Sequence, residues 1–251
     1  MSNSRIVNFA VDRLPAGDRI VRSVGLFKIG QRELCVRVSS RRREHDYEHR
    51  VMGVINFIVD YIVNSGARIK AGESLEYGWT LLRFLERGPS SLEAYEIEDP
   101  YSDEAEPPMV PGVDRALTLA DVSRDVMRRN RLMGASDFPY RGKTATTCSH
   151  LSGLTSRQLF IGRDEPQEPR DSGWTITCGD GEESHEAADL TAEHLAHVGA
   201  RRRFVVPYLT MPVGCAVVFD SDGAIVFPAG KEAGQRDPVD PYLFDQVTFH
   251  N

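Results

Sequence analysis

A helix-like segment set among strand-like segments is the feature that most constrains the fold of this chain. From Arg42 to Asn64, apolar residues recur at spacings of three and four, which predicts a helix over residues 44–63. Short apolar runs separated by glycines predict strands around this helix, at residues 5–11, 20–38, 78–88 and 92–98. The N-terminal half is therefore predicted to follow the order β-β-β-α-β-β.

The C-terminal half shows the same mixture of patterns. Amphipathic spacing predicts helices over residues 118–133 and 187–199. Apolar runs predict strands at residues 159–162, 173–178 and 203–209, and a hairpin over residues 215–227. The expected fold class is α+β, with two small mixed sheets and packed helices.

A connector rich in glycine, serine and proline follows the helix predicted over residues 118–133. It places a domain boundary between an N-terminal α+β domain, residues 1–135, and a second α+β domain with a polar tail, residues 136–251. Trp79 and Trp174 both follow a glycine and precede a threonine. Related halves that arose by duplication are thus one interpretation, and two independent strands that each bury a tryptophan are the other.

Composition narrows the classes of function. The chain has 30 Lys and Arg against 37 Asp and Glu, a net charge of −7, so nucleic acid is not the expected partner. Its four cysteines are far apart and form no C-x-x-C, which argues against a zinc ribbon or thioredoxin-type site and favours reduced thiols. No apolar stretch is long enough for a membrane span or an export signal. We expect a cytoplasmic protein that needs no cofactor and has no membrane partner.

His45, Glu48 and His49 form the motif that most resembles a catalytic one. In H-x-x-E-H, two histidines one helical turn apart can hold zinc while the glutamate acts as general base. Residues 41–43 and Arg50 are arginines, which disfavour a dication there, and a third ligand would have to come from elsewhere. A metal-dependent hydrolase is therefore the alternative, and surface ion pairs at the start of the helix are the favoured interpretation.

Other clusters give weaker signals. Cys148-Ser149-His150 is interpreted as non-catalytic, because neighbouring side chains on an extended chain point to opposite sides. Arginine runs at residues 41–43 and 201–203 leave a nucleic-acid-binding regulator as a further hypothesis. Residues 164–193 hold ten acidic residues against Arg170 alone, a local charge of −9. Such a field can steer a basic partner or simply keep the protein soluble.

Residues 150–230 contain five short strings that recur together in a known family: Gly162-Arg163, Asp171-Ser172-Gly173-Trp174, Gly179-Asp180, Val206-Pro207-Tyr208-Leu209 and Met211-Pro212-Val213-Gly214. In these strings the chain resembles the bacterial domain family called immunity protein 33, one of the antidotes of polymorphic toxins. This chain departs from the family pattern at Cys178 and Gly181-Glu182, where family members have a more regular acidic run. The resemblance implies a small α+β module that neutralises a toxin without catalysis.

The resemblance thus implies a non-enzymatic immunity protein that blocks a cognate toxin by occlusion. The acidic field of this chain predicts that the surface of the toxin is basic. The string around Trp174 predicts a turn that Asp171 caps, followed by a strand that the indole anchors in the core. The candidate partner-binding residues are Arg163, Asp171, Trp174, Asp180, Glu182, Glu183 and Glu186.

Overall fold

A computed structural model describes residues 7–42, 46–134, 137–152, 158–179, 185–220, 223–230 and 236–237. The chain forms two compact units. The first unit comprises Met1–Pro100 and Pro107–Leu117, and the second comprises Tyr101–Glu106 and Thr118–Asn251. This division does not test whether either part folds alone, so the domain boundary at residues 135/136 stays a prediction for limited proteolysis.

The first unit is built on a seven-stranded mixed sheet. Its strands are β1 (Asn8–Arg13), β2 (Arg19–Val24), β3 (Glu33–Val38), β4 (Ser74–Tyr77), β5 (Thr80–Glu86), β6 (Ser91–Ile97) and β7 (Met109–Pro111). They follow the order β1-β2-β3-β6-β5-β4, and β7 pairs with β6. Only β3 and β6 pair in parallel among these neighbours, while the other pairs are antiparallel.

Helix α1 (Tyr47–Ser65) connects β3 to the β4–β5 hairpin and confirms the first predicted helix. Its apolar face contacts β2 and β3 and is fully buried, at Val51, Val54, Ile55, Ile58 and Ile62. Burial of each such side chain contributes about 1.5–3 kcal/mol to folding. The helix ends at Gly66, which has the positive φ of 68° that a left-handed cap requires. Within the described ranges, no helix combines the length and the apolar character that crossing a membrane requires.

Helix α2 (Asp114–Arg129) confirms the helix predicted over residues 118–133, although it begins and ends four residues earlier. The carboxylate of Glu96 on β6 accepts hydrogen bonds from the backbone N–H groups of Arg115 and Ala116 at 3.0 and 2.8 Å. Burial raises the pKa of Glu96, against the opposing effect of those N–H donors. The start of α2 is therefore capped by a side chain from the sheet.

The second unit is built on another seven-stranded mixed sheet. Its strands are β8 (Thr144–Cys148), β9 (Leu159–Arg163), β10 (Asp171–Cys178), β11 (Leu190–His194), β12 (Ala216–Asp220), β13 (Gly223–Phe227) and β14 (Arg236–Asp237). They follow the order β11-β8-β10-β9-β12-β13-β14. Here β8 and β10 form the parallel pair, and β12 with β13 confirms the predicted hairpin.

Two of the predicted elements in the second half are wrong. The helix predicted over residues 187–199 is a short 3₁₀ helix (Ala187–Asp189), then β11, then helix α3 (Leu195–Arg201), because β8 recruits Leu190–His194 into the sheet. The strand predicted over residues 203–209 is a 3₁₀ helix (Arg203–Thr210). Its apolar run is buried almost throughout, and such a run does not separate a strand from a helix by its period.

The α+β fold class with two mixed sheets is confirmed. The two tryptophans occupy different places in their sheets. Trp79 immediately precedes β5, which has antiparallel neighbours, whereas Trp174 lies within β10, which has a parallel neighbour. The shared Gly-Trp-Thr string therefore gives no support to related halves.

Candidate partner-binding site

The Asp171-Ser172-Gly173-Trp174 string forms the turn at the start of β10. The Asp171 carboxylate accepts hydrogen bonds from the backbone N–H groups of Gly173 at 2.8 Å and of Gln167 at 2.9 Å. The Ser172 hydroxyl donates to the carbonyl of Thr144 at 2.7 Å, which ties the turn to β8. Asp171 therefore caps the turn, as its position in the sequence predicted.

Gly173 allows a very close approach of two backbone segments. Its φ is +76°, and a Cβ built on it would lie 2.0 Å from the carbonyl oxygen of Asp164. The backbone N–H of Asp164 donates to the carbonyl of Gly173 at 2.9 Å. Since no side chain fits between them, this crossing fixes both ends of the loop that connects β9 to β10.

Arg163, the last residue of β9, is buried with 3% of its surface exposed. Its guanidinium donates to the backbone carbonyls of Ser172, Asp137 and Met211 at 3.3, 3.0 and 2.6 Å. It also pairs with the Asp137 carboxylate at 2.7 Å, although that carboxylate is largely exposed. One side chain thus holds three separate chain segments together. Arginine can do this because its guanidinium carries five N–H donors.

Trp174 lies beneath this guanidinium. The Arg163 Cζ stands 5.6 Å from the centre of the indole ring, and the indole N–H donates to the carbonyl of Leu209 at 3.2 Å. The ring is buried, with 1% of its surface exposed. Arg163 and Trp174 therefore organise the interior, and their effect on a partner would pass through the loops that they hold.

The exposed part of the candidate site is acidic. All seven residues of the β9–β10 loop, 164–170, are exposed, and they include the carboxylates of Asp164, Glu165 and Glu168. Glu186 is also exposed and precedes the 3₁₀ helix at Ala187–Asp189, whose start it caps. Three further predicted residues, Asp180, Glu182 and Glu183, lie outside the described residues.

The residues of the alternative hypotheses lie elsewhere. His45 is outside the described residues, His49 is exposed, and the Glu48 carboxylate pairs with Arg19 at 2.9 Å. The sequence favoured an ion pair of Glu48 with Arg41 or Arg50 at the start of the helix, whereas the partner shown here is Arg19 on β2. In the arginine runs, Arg42 pairs with Asp114 at 3.1 Å, and the Arg201 guanidinium pairs with the Glu193 carboxylate.

A second group of chemistry-bearing side chains was not assembled by sequence reasoning. The ligand atoms of Cys148, His150, Cys178 and His185 all lie within 4.8 Å of one another. The interpretation of Cys148-Ser149-His150 assumed an extended chain, but the strand ends at Cys148 and a 3₁₀ helix (Ser149–Ser152) follows. The signal in the sequence was a cysteine at the end of two strands, each followed within seven residues by a histidine.

In a comparison with known proteins, part of the second half matches a family model. Residues 137–228 match the family model of the Imm33-like domain, which confirms the resemblance found for residues 150–230. The matched range contains β8 to β13 and α3, and hence the turn, Arg163 and Trp174. No curated protein and no solved structure matches the chain.

Proposed function

We propose that this protein is a non-enzymatic immunity protein that binds a cognate bacterial toxin and blocks it by occlusion. The observation that carries the proposal is the match of residues 137–228 to the Imm33-like domain. An immunity family implies a toxin as partner in general, and occlusion requires a surface rather than a reactive group. The candidate site has this character, since the fixed loop at residues 164–170 exposes three carboxylates against one arginine.

The acidic loop is held in place before any partner arrives. Its first residue, Asp164, crosses Gly173 with no space between the two backbones, and Asp171 bonds to Gln167 within the loop. Arg163 fixes the end of β9 from below. A surface that is already ordered loses less entropy on binding, which favours affinity.

The charge of this surface selects a basic toxin surface. The acidic surface repels other acidic proteins. Its attraction for a basic surface raises the rate of association more than it lengthens the lifetime of the complex. Exposed single charges contribute only about 0.2–1 kcal/mol each, so the effect belongs to the group of charges. We include Asp180, Glu182, Glu183 and Glu186 in this group together with Asp164, Glu165 and Glu168.

The test is binding kinetics with a toxin encoded beside this gene, measured at two salt concentrations. Two variants reverse the charges to lysine, one at Asp180, Glu182, Glu183 and Glu186, the other at Asp164, Glu165 and Glu168. We expect association to slow at least about tenfold and to lose most of its salt dependence, while dissociation changes by about threefold or less.

A matched control reverses four exposed carboxylates of the first unit, Asp60, Glu73, Glu86 and Glu98, and should leave association within about threefold of the original rate. Unchanged association in both acidic variants would make this segment a solubility feature. A toxin that neither binds the protein nor is neutralised by it in a growth assay would overturn the proposed function itself.

A further inference from the structure

We propose that Cys148, His150, Cys178 and His185 form a tetrahedral Zn²⁺ site in the second unit. The proposal does not depend on toxin binding. It rests on how the sheet brings four separated side chains together, on the distances between their ligand atoms, and on the chemistry of two thiols with two imidazoles.

The parallel pairing of β8 and β10 places the two cysteines at one edge of the sheet. Each is the last residue of its strand, and the carboxyl ends of parallel neighbours meet at the same edge. The backbone N–H of Cys178 donates to the Cys148 Sγ at 3.3 Å, which fixes the first thiol beside the second strand. Both cysteines are buried and neither forms a disulfide.

The two histidines arrive from the segments that flank this edge. His150 lies in the 3₁₀ helix that begins directly after Cys148, and His185 lies shortly before β11, whose Leu190 pairs with Cys148. The two imidazole rings stand 5.8 Å apart at an angle of 46°. The His185 Nε2 is 3.3 Å from the Cys178 Sγ.

These distances are close to those of an occupied site. With Zn–S near 2.3 Å and Zn–N near 2.0–2.1 Å, the ligand atoms of a tetrahedral site are separated by about 3.3–3.8 Å. All four ligand atoms already lie within 4.8 Å of one another, and the Cys178–His185 contact is at the short end of that range. Closure around an ion needs shifts of only about 1 Å.

The ligand types select the metal. Two thiolates and two imidazoles in a tetrahedron suit Zn²⁺, whereas Mg²⁺ and Ca²⁺ prefer oxygen ligands. Four protein ligands fill the coordination shell and leave no position for water, which is the arrangement of a structural rather than a catalytic zinc. The ion would join the ends of β8 and β10 to the segment that leads into β11.

The test uses the full-length chain purified under reducing conditions from zinc-supplemented cultures. We expect one zinc per chain by elemental analysis. Exchange for Co²⁺ should give the intense visible bands of a tetrahedral ion and the near-ultraviolet charge-transfer band of cobalt–thiolate bonds. Removal of the metal with a chelator should lower the melting temperature, and added Zn²⁺ should restore it.

Variants separate this site from adventitious binding. Cys148→Ser and Cys178→Ser should lose stoichiometric zinc and the thiolate band, and His185→Asn should weaken zinc affinity at least about tenfold. Cys215→Ser is the matched control, because Cys215 is a buried thiol of the same unit outside the cluster, and it should keep one zinc per chain.

If the cysteine variants fail to fold, His150→Asn tests the site instead, because His150 is exposed and its replacement creates no internal cavity. That variant should fold and bind zinc at least about tenfold more weakly. Substoichiometric zinc in the original chain, or an unchanged zinc affinity in the folded His150→Asn and His185→Asn variants, would overturn the site.

Discussion

In the first unit, the buried charged side chains among the described residues are the carboxylates of Glu33, Glu93 and Glu96, whereas in the second unit it is the guanidinium of Arg163. Each carboxylate receives donors. Glu33 accepts from the Ser23 hydroxyl and the Gly25 N–H, and Glu93 pairs with two arginines, at 3.0 and 2.6 Å. Arg163 donates to three backbone carbonyls in addition to its pair with the exposed Asp137 carboxylate.

The difference shows which backbone groups a buried acidic or basic side chain can bind. A carboxylate satisfies N–H groups, which are left over at the starts of helices and in turns, as Glu96 does for α2. A guanidinium satisfies carbonyls, which are left over where chain segments without regular structure meet. Glu96 therefore joins the sheet to the start of α2, and Arg163 joins the loops around the candidate site.

The parallel strand pairs of the two units differ in the residues at which their strands end. In the first unit β3 ends at Val38 and β6 at Ile97, both buried and apolar. In the second unit β8 and β10 both end in cysteine. The connection between β3 and β6 contains helix α1 and strands β4 and β5, whereas the described part of the connection between β8 and β10 contains a 3₁₀ helix of four residues and strand β9. The same topological position thus holds apolar packing in one unit and metal-binding side chains in the other.

The largest expected effect comes from removing the ring beneath the buried arginine. Trp174→Ala should lower the free energy of unfolding by about 3–5 kcal/mol, because a fully buried indole and its hydrogen bond to Leu209 are lost. Urea unfolding followed by circular dichroism measures this. In combination with Arg163→Met the loss should be less than additive, since the guanidinium lies over the ring. Additive losses would show that the arginine does not depend on the tryptophan.

A smaller loss is expected when the guanidinium itself is replaced. Arg163→Met should lower the free energy of unfolding by about 2–3 kcal/mol, because the buried carbonyls of Ser172 and Met211 lose their donor. Arg42→Met is the control, since Arg42 pairs with Asp114 at a partly exposed site and should cost under about 1 kcal/mol. Equal losses in the two variants would remove the distinction between the buried and the exposed arginine.

The smallest effect concerns the acid of the first unit and depends on pH. Because burial raises the pKa of Glu96, the folded protein holds this proton at pH values where the unfolded chain has released it. The unfolding free energy of the original chain, relative to that of Glu96→Gln, should therefore fall as the pH rises from the ordinary glutamate pKa through the raised value. Urea unfolding between pH 4 and about pH 8 measures the difference. A slope of opposite sign would mean that the N–H donors outweigh burial.

Elements with a clear period were predictable from sequence, and elements decided by distant partners were not. Helices α1 and α2 and the β12–β13 hairpin follow local patterns of three to four residues or of alternation. Strand β11 was missed because its partner β8 lies more than 40 residues away in the chain.

The candidate site divides in the same manner. The cap by Asp171 and the anchoring role of Trp174 were predictable, because a turn sequence before an aromatic residue is a local signal. The burial of Arg163 was not predictable. Arginine is rarely buried unless it has partners, and the sequence does not identify those partners. The two cysteines that meet at the sheet edge are 30 residues apart, and only the parallel pairing brings them together.

The close crossing at Gly173 determines which substitutions this position can accept. Every missense change of a glycine codon adds at least a Cβ, and that atom would fall 2.0 Å from the Asp164 carbonyl oxygen. Alanine, the mildest replacement, is therefore excluded on the same grounds as the largest ones. In a library of single-codon variants selected for folded protein, this position should be depleted of all nineteen alternatives, while the exposed positions beside it in the loop accept many. Gly173 therefore fixes the backbone at the start of β10, while the exposed side chains of the neighbouring loop are not under this constraint.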